Sequence, residues 1–135
     1  MRIPTSIGIA VALLIAAPVA VAGDFDGSVP LLCATSLAVE CGPDYECHNS
    51  PPETSGIPNF FEIDVKKKRL RGERDGAEEV SKIERVRRED GQLMLQGVDH
   101  HRAWSIVVVE ETGRLSASVS DGRAGFVLFG ACRKL

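Results

Sequence analysis

From residue 60 onward, apolar and polar positions alternate with a period of two. Phe61, Ile63 and Val65 alternate with Phe60, Glu62, Asp64 and Lys66, the pattern of a strand buried on one face. Leu93 and Leu95 alternate with Met94 and Gln96, and Trp104, Ile106 and Val108 alternate with Ala103, Ser105, Val107 and Val109. Leu115, Ala117 and Val119 form a further inward set, and Phe126 and Leu128 share a face with Cys132 if the alternation runs through Gly130. Asp90-Gly91, Thr112-Gly113 and Asp121-Gly122 fall between the runs. Such dipeptides supply the positive φ that tight hairpins need. Runs joined by tight turns are antiparallel neighbours. Residues 60–135 therefore read as a β-meander.

Residues 69–88 are ambiguous. Val80, Ile83 and Val86 have helical spacing among good helix formers. A meander nevertheless needs a strand there to pair across Asp90-Gly91, so the expectation is a charged, bulged strand, with a helix over 79–88 as the alternative. About seven strands must hide their edges and cover an apolar face. Closure into a small barrel does both, and a strongly curved open sheet serves nearly as well.

Before residue 60 the style differs. Residues 28–40 read as a short helix, with Ser28 as N-cap, Pro30 in the first turn, and Leu32, Leu37, Cys33 and Cys41 towards one face. Residues 50–58 contain Pro51, Pro52, Gly56 and Pro58 and read as loop. Residues 23–59 are thus expected to form a helix and loop cap on the meander.

The first 22 residues follow another logic. A basic start at Arg2 precedes an apolar run from Ile7 to Val21 and an Ala20-Val21-Ala22 site before Gly23. That is the tripartite pattern of a secretory signal peptide, cleaved before Gly23. The run is shorter than the ~20 residues of a spanning helix and is interrupted by Pro18. Cys33 lies too far downstream for a lipid-modified N-terminal cysteine. The expectation is a single soluble exported domain over 23–135, placed in the periplasm by a Sec-type signal.

Charge sharpens this picture only locally. The chain carries 16 Lys and Arg against 19 Asp and Glu, for a net charge of −3. Losing Arg2 with the leader makes it −4. That balance argues against a nucleic-acid partner. The basic residues cluster after Asp64, beginning with Lys66, Lys67, Lys68 and Arg69. Such a run reads as a solvated hairpin tip. It is also a candidate contact for an anionic envelope lipid or acidic partner, or for the acidic N-terminal half of the chain.

Four cysteines in an exported chain read as two disulfides. The turn-rich segment from Cys41 to Cys47 favours that pairing, leaving Cys33 with Cys132. A zinc site using His48 and cysteines has no C-x2-C pair to support it. No metal or cofactor is implied.

No serine elbow, paired-histidine metal motif, P-loop or dinucleotide fingerprint occurs, so no catalytic residue is assigned. His100-His101 reads as polar hairpin residues, because neighbours in a strand face opposite ways. Trp104 is the single tryptophan and is expected in the core. Were the barrel hollow, Trp104 with Phe61, Leu95 and Phe126 would line an apolar pocket, with Ala117 making room.

The segments Asp26-Gly27-Ser28-Val29-Pro30-Leu31-Leu32-Cys33, Leu95-Gln96-Gly97, Arg102-Ala103-Trp104-Ser105 and Phe129-Gly130-Ala131-Cys132 resemble a family of small exported proteobacterial proteins of unknown function. The resemblance implies a Gram-negative periplasm and supplies no activity or site residue. The chain is unlike a true lipocalin, whose G-x-W signature lies on the first strand.

The functional expectation is a non-catalytic binding module for a small apolar or amphipathic ligand, or for an envelope partner. The alternative is an inhibitor of a secreted lysozyme or protease, acting through residues 50–58 or the His100-His101 turn. An unrecognised enzyme stands third.

Overall fold

The computed structural model describes residues 23–135, and the proposed leader lies outside them. Ten strands follow in order: β1 (Leu31–Gly42), β2 (Tyr45–Asn49), β3 (Phe60–Asp64), β4 (Arg69–Arg74), β5 (Ala77–Lys82), β6 (Arg85–Glu89), β7 (Gln92–Asp99), β8 (Arg102–Val109), β9 (Arg114–Ser120) and β10 (Gly125–Lys134). They form one antiparallel sheet in the spatial order β5-β4-β3-β1-β10-β9-β8-β7-β6, with β2 alongside β1. The sheet curls into a half-barrel. Among the described residues the only helical segment is a 3-10 turn over Pro52–Ser55, closed by Gly56 in the left-handed region at φ 65°.

The tight turns follow the dipeptides. Asp90 and Gly91 have φ of 50° and 72°, and Gly113 has 71°. Asp121-Gly122 turns without positive φ; there the Asp121 side chain accepts the Arg123 and Ala124 N–H groups. The period-two runs bury the faces the alternation indicates: Leu93 and Leu95, Trp104 through Val108, Leu115 and Ala117, and Phe126, Leu128 and Cys132.

Residues 28–40 do not form a helix. They enter β1, which sits mid-sheet between β3 and β10. A β-bulge between Thr35 and Leu37 explains the misleading pattern. Leu31 and Cys33 are buried before it and Ala38 after it, so the apolar spacing jumps by an odd number and mimics a helical period. Two flanking ladders satisfy the backbone and outweigh local propensity. Residues 23–59 are consequently not a cap. Only residues 23–30 and the loop 50–58 lie outside the strands as covers for the two ends.

Both disulfides pair as the sequence favours. Cys33–Cys132 joins strand neighbours opposite each other in the β1–β10 ladder, 99 residues apart in sequence. Cys41–Cys47 closes the β1–β2 hairpin.

Residues 79–88 are strand, interrupted rather than bulged. β5 pairs with β4, and β6 pairs with β7. Successive antiparallel pairings make β5 and β6 run in the same direction. They are two lengths of one edge segment, broken at Ile83 and Glu84. At the break, Ile83 donates its N–H to Lys68 O at 2.9 Å and Glu84 donates to Gln96 O at 2.8 Å. The segment thus passes from one flank of the sheet to the other. No ladder joins β5 to β7, so the sheet stays open along that stretch instead of closing as a full barrel.

The concave face has two unlike ends. At one end Leu31, Ile63, Leu93, Leu95 and Val108 are fully buried. Residues 23–30 cover this floor: Phe25 donates its N–H to Glu110 O at 2.9 Å, and Gly27 lies against Val65 and Leu93. The other end is a mouth.

Candidate functional site

The inward sets of β4, β5, β8 and β9 continue past the core into polar residues, all at the same end. On β8 the inward series Val108, Ile106, Trp104 ends at Arg102. On β9 the series Leu115, Ala117, Val119 ends at Asp121. On β4 Leu70 and Gly72 lead to Arg74, and on β5 the inward positions are Ser81, Glu79 and Ala77. Strand register aligns these ends into one rim. Beneath it lies a cavity of about 810 Å³, whose apolar wall includes Phe61, Leu70, Trp104, Ile106, Ala117 and Leu128. That size is ordinary for a small-molecule site.

Trp104 is both wall and clasp. Its indole lies across Gly97 on β7, where an added Cβ would collide with the ring and with Lys82 O. Its Nε1–H donates to Ser81 Oγ on β5 at 3.1 Å. The ring therefore bridges the unpaired stretch between β7 and β5, and only glycine at 97 lets it pass.

The rim is held by charge. Arg74 pairs with Glu79. Arg102 donates from Nη1 to Ser55 O at 3.0 Å, its Nε stands 3.4 Å from Asp121 Oδ2, and its guanidinium carbon lies 5.5 Å from the centre of the Phe126 ring. The Arg123 and Ala124 N–H groups, with Arg102 adding to them, hold the Asp121 carboxyl below its ordinary pKa. It stays ionised. The loop 50–58 forms one side of the mouth, with Ile57 buried and Ile57 and Pro58 on the cavity wall.

Of the four pocket residues read from the sequence, Phe61 and Trp104 line this cavity. Leu95 does not; it is fully buried in the floor. Phe126 does not reach the wall either, since its ring is covered by Arg102. The rim arginines were missed. Their signal was available: Arg102, Arg74 and Asp121 each share parity with a run of inward apolar residues, which is an unusual place for charge.

His100 and His101 form the tip between β7 and β8, both at positive φ and both exposed. His100 Nδ1 lies 2.6 Å from Asp99 Oδ1. Among the described residues no group of three or more potential metal-ligating side chains converges.

Lys66, Lys67 and Lys68 occupy the turn between β3 and β4, at the floor end and away from the cavity. Buried Asp64 accepts the Lys67 N–H at 3.0 Å and stands 3.5 Å from Lys67 Nζ. The backbone hydrogen bond, with Lys67 and Arg69 nearby, holds the Asp64 carboxyl below its ordinary value. Arg69 is half-buried, and its Nε has no hydrogen-bond partner among the described residues. Among the described residues no helix is long and apolar enough to cross a membrane.

Compared with family models, with curated proteins and with solved structures, the chain matches none.

Proposed function

We propose that this protein is a non-catalytic binding module of the periplasm that holds a small amphipathic ligand inside its half-barrel. The observation that carries the reading is the cavity of about 810 Å³, walled by Phe61, Trp104, Ile106, Ala117 and Leu128. A sheet stabilised only by packing would have these inward positions filled by opposing side chains. Here small Ala117 and Gly72 stand among them instead. The loop 50–58 and the His100-His101 turn, on which an inhibitor would rely, both contribute to the mouth. Residues of that loop are engaged in it, through Ser55 O on Arg102 and the buried Ile57. This favours the ligand reading over docking against an enzyme.

The test is native mass spectrometry of protein purified from a periplasmic extract. A small-molecule adduct that disappears on denaturation is expected. Protein carrying no adduct and taking up none from a lipid extract overturns the reading. A stoichiometric complex with a secreted hydrolase would establish the inhibitor instead.

A further inference from the structure

We infer that the ligand carries an anionic head group, gripped between the guanidiniums of Arg74 and Arg102 at the mouth. The inference rests on the cavity being a ligand site and adds the charge of what fills it. Its first support is convergence. A Cβ built on Gly56 would lie 3.4 Å from Arg74 Nη1 and 3.8 Å from Arg102 Nη1. Two like charges therefore overhang one point, and they come from opposite flanks of the open stretch. Like charges brought together repel; Glu79 and Asp121 offset them in part from the sides.

The second support is what each guanidinium leaves unspent. Arg74 uses Nη2 for Glu79, which leaves Nη1 and Nε. Arg102 uses Nη1 for Ser55 O. Its approach to Asp121 is long at 3.4 Å, beyond the normal range of an N–H···O bond, and Nη2 has no partner among the described residues. Asp121 is not free to close a bidentate pair, because its other oxygen takes the Arg123 and Ala124 N–H groups at 2.7 and 3.1 Å. Guanidinium donors in a fixed fork match a carboxylate or phosphate oxygen pair.

The third support is the placement of charge around the rim. Arg71, Arg74, Arg102 and Arg123 border the cavity, against Glu79, Asp99 and Asp121. Arg71 is committed to Glu62 and Glu78 outside the mouth, and Asp99 lies within hydrogen-bond distance of His100, which leaves Arg74, Arg102 and Arg123 facing Glu79, Asp99 and Asp121 at the rim. Arg123 makes no ion pair with a described residue. Glycine at 56, turned into the left-handed region at φ 65°, presents no side chain before the two arginines. Below them the wall is apolar down to Ile106 and Leu128. A hydrocarbon chain with an anionic end fits that gradient.

Binding of twelve-carbon probes, followed by the fluorescence of the single tryptophan on the cavity wall, tests this. Dodecanoate and dodecyl phosphate, below their aggregation limits, should bind roughly tenfold or more tighter than dodecanol, the scale of a charge-assisted contact. Dodecylammonium should bind weakest. Arg74→Gln and Arg102→Gln should each erase the preference for the anions over dodecanol. If Arg102→Gln fails to fold, Arg74→Gln and the wild-type probe series decide. Dodecanol binding as tightly as the anions overturns the clamp and leaves the cavity reading standing. No binding of any probe overturns both.

Discussion

The floor and the mouth of the half-barrel are built by the same strands and obey opposite rules. At the floor the inward positions are mostly Leu, Ile and Val, with the Cys33–Cys132 disulfide among them and buried Glu110 at the margin, and the N-terminal segment seals it. A few residues further along β8 and β9 the inward positions become Arg102 and Asp121, and β4 and β5 contribute Arg74 and Glu79. Half-burying charge where a methyl-rich side chain could pack is unfavourable, so the mouth contributes less to stability than the floor. The contrast separates positions that hold the protein together from positions that border the cavity.

The largest effect should come from the floor. Leu93→Ala is expected to cost about 2–5 kcal/mol in denaturant titration and to leave dodecanoate affinity per folded molecule unaltered. A cost near that of a surface site would remove the basis of the contrast. Replacing Cys33 and Cys132 together by Ala should cost about 2–4 kcal/mol, since the bond closes 99 residues.

Asp64→Asn should cost about 1–2 kcal/mol at neutral pH, the scale of a hydrogen bond to a charged group. Its carboxyl is held below the ordinary value in the folded state. Its contribution is therefore present above the unfolded carboxylate pKa and lost as pH falls through the folded one. Stability curves of wild type and variant should converge in acid; a gap that persists there would contradict the charged role.

Ser81→Ala should cost about 1 kcal/mol and shift the Trp104 emission, because it removes the bond across the open stretch. An unchanged spectrum would show that the clasp is not used. Arg74→Gln should be smallest, at about 0–1 kcal/mol, as for other partly exposed ion pairs. A large loss there would make the rim structural and dissolve the distinction between the two ends.

The meander was legible in the sequence because each strand after residue 60 has one buried face and a short polar turn at its end. β1 was not, because its bulge breaks the period at the residues that looked helical. The break at Ile83 was hidden too: whether Val80, Ile83 and Val86 mark a helix or one strand changing partners depends on Lys68 and Gln96, which are not its sequence neighbours. The disulfides followed from spacing. The rim was legible only in part: Arg102 and Asp121 continue the parity of inward runs, but that Arg74 and Arg102 converge depends on the curl of the sheet and the left-handed turn at Gly56.

The pairing of β1 with β10 also dictates the order in which this molecule can fold. The earliest and latest strands are neighbours at the middle of the sheet, aligned from Leu31 with Lys134 to Cys41 with Gly125. Hairpins such as β7–β8 can form from local contacts, but the centre must wait until the last strand is available. Long-range pairing of this kind slows folding towards the millisecond-to-second range. A chain still lacking β10 has two separate flanks and no curl, hence neither the cavity nor its paired arginines. The cavity of this protein is therefore completed only in the final step of folding.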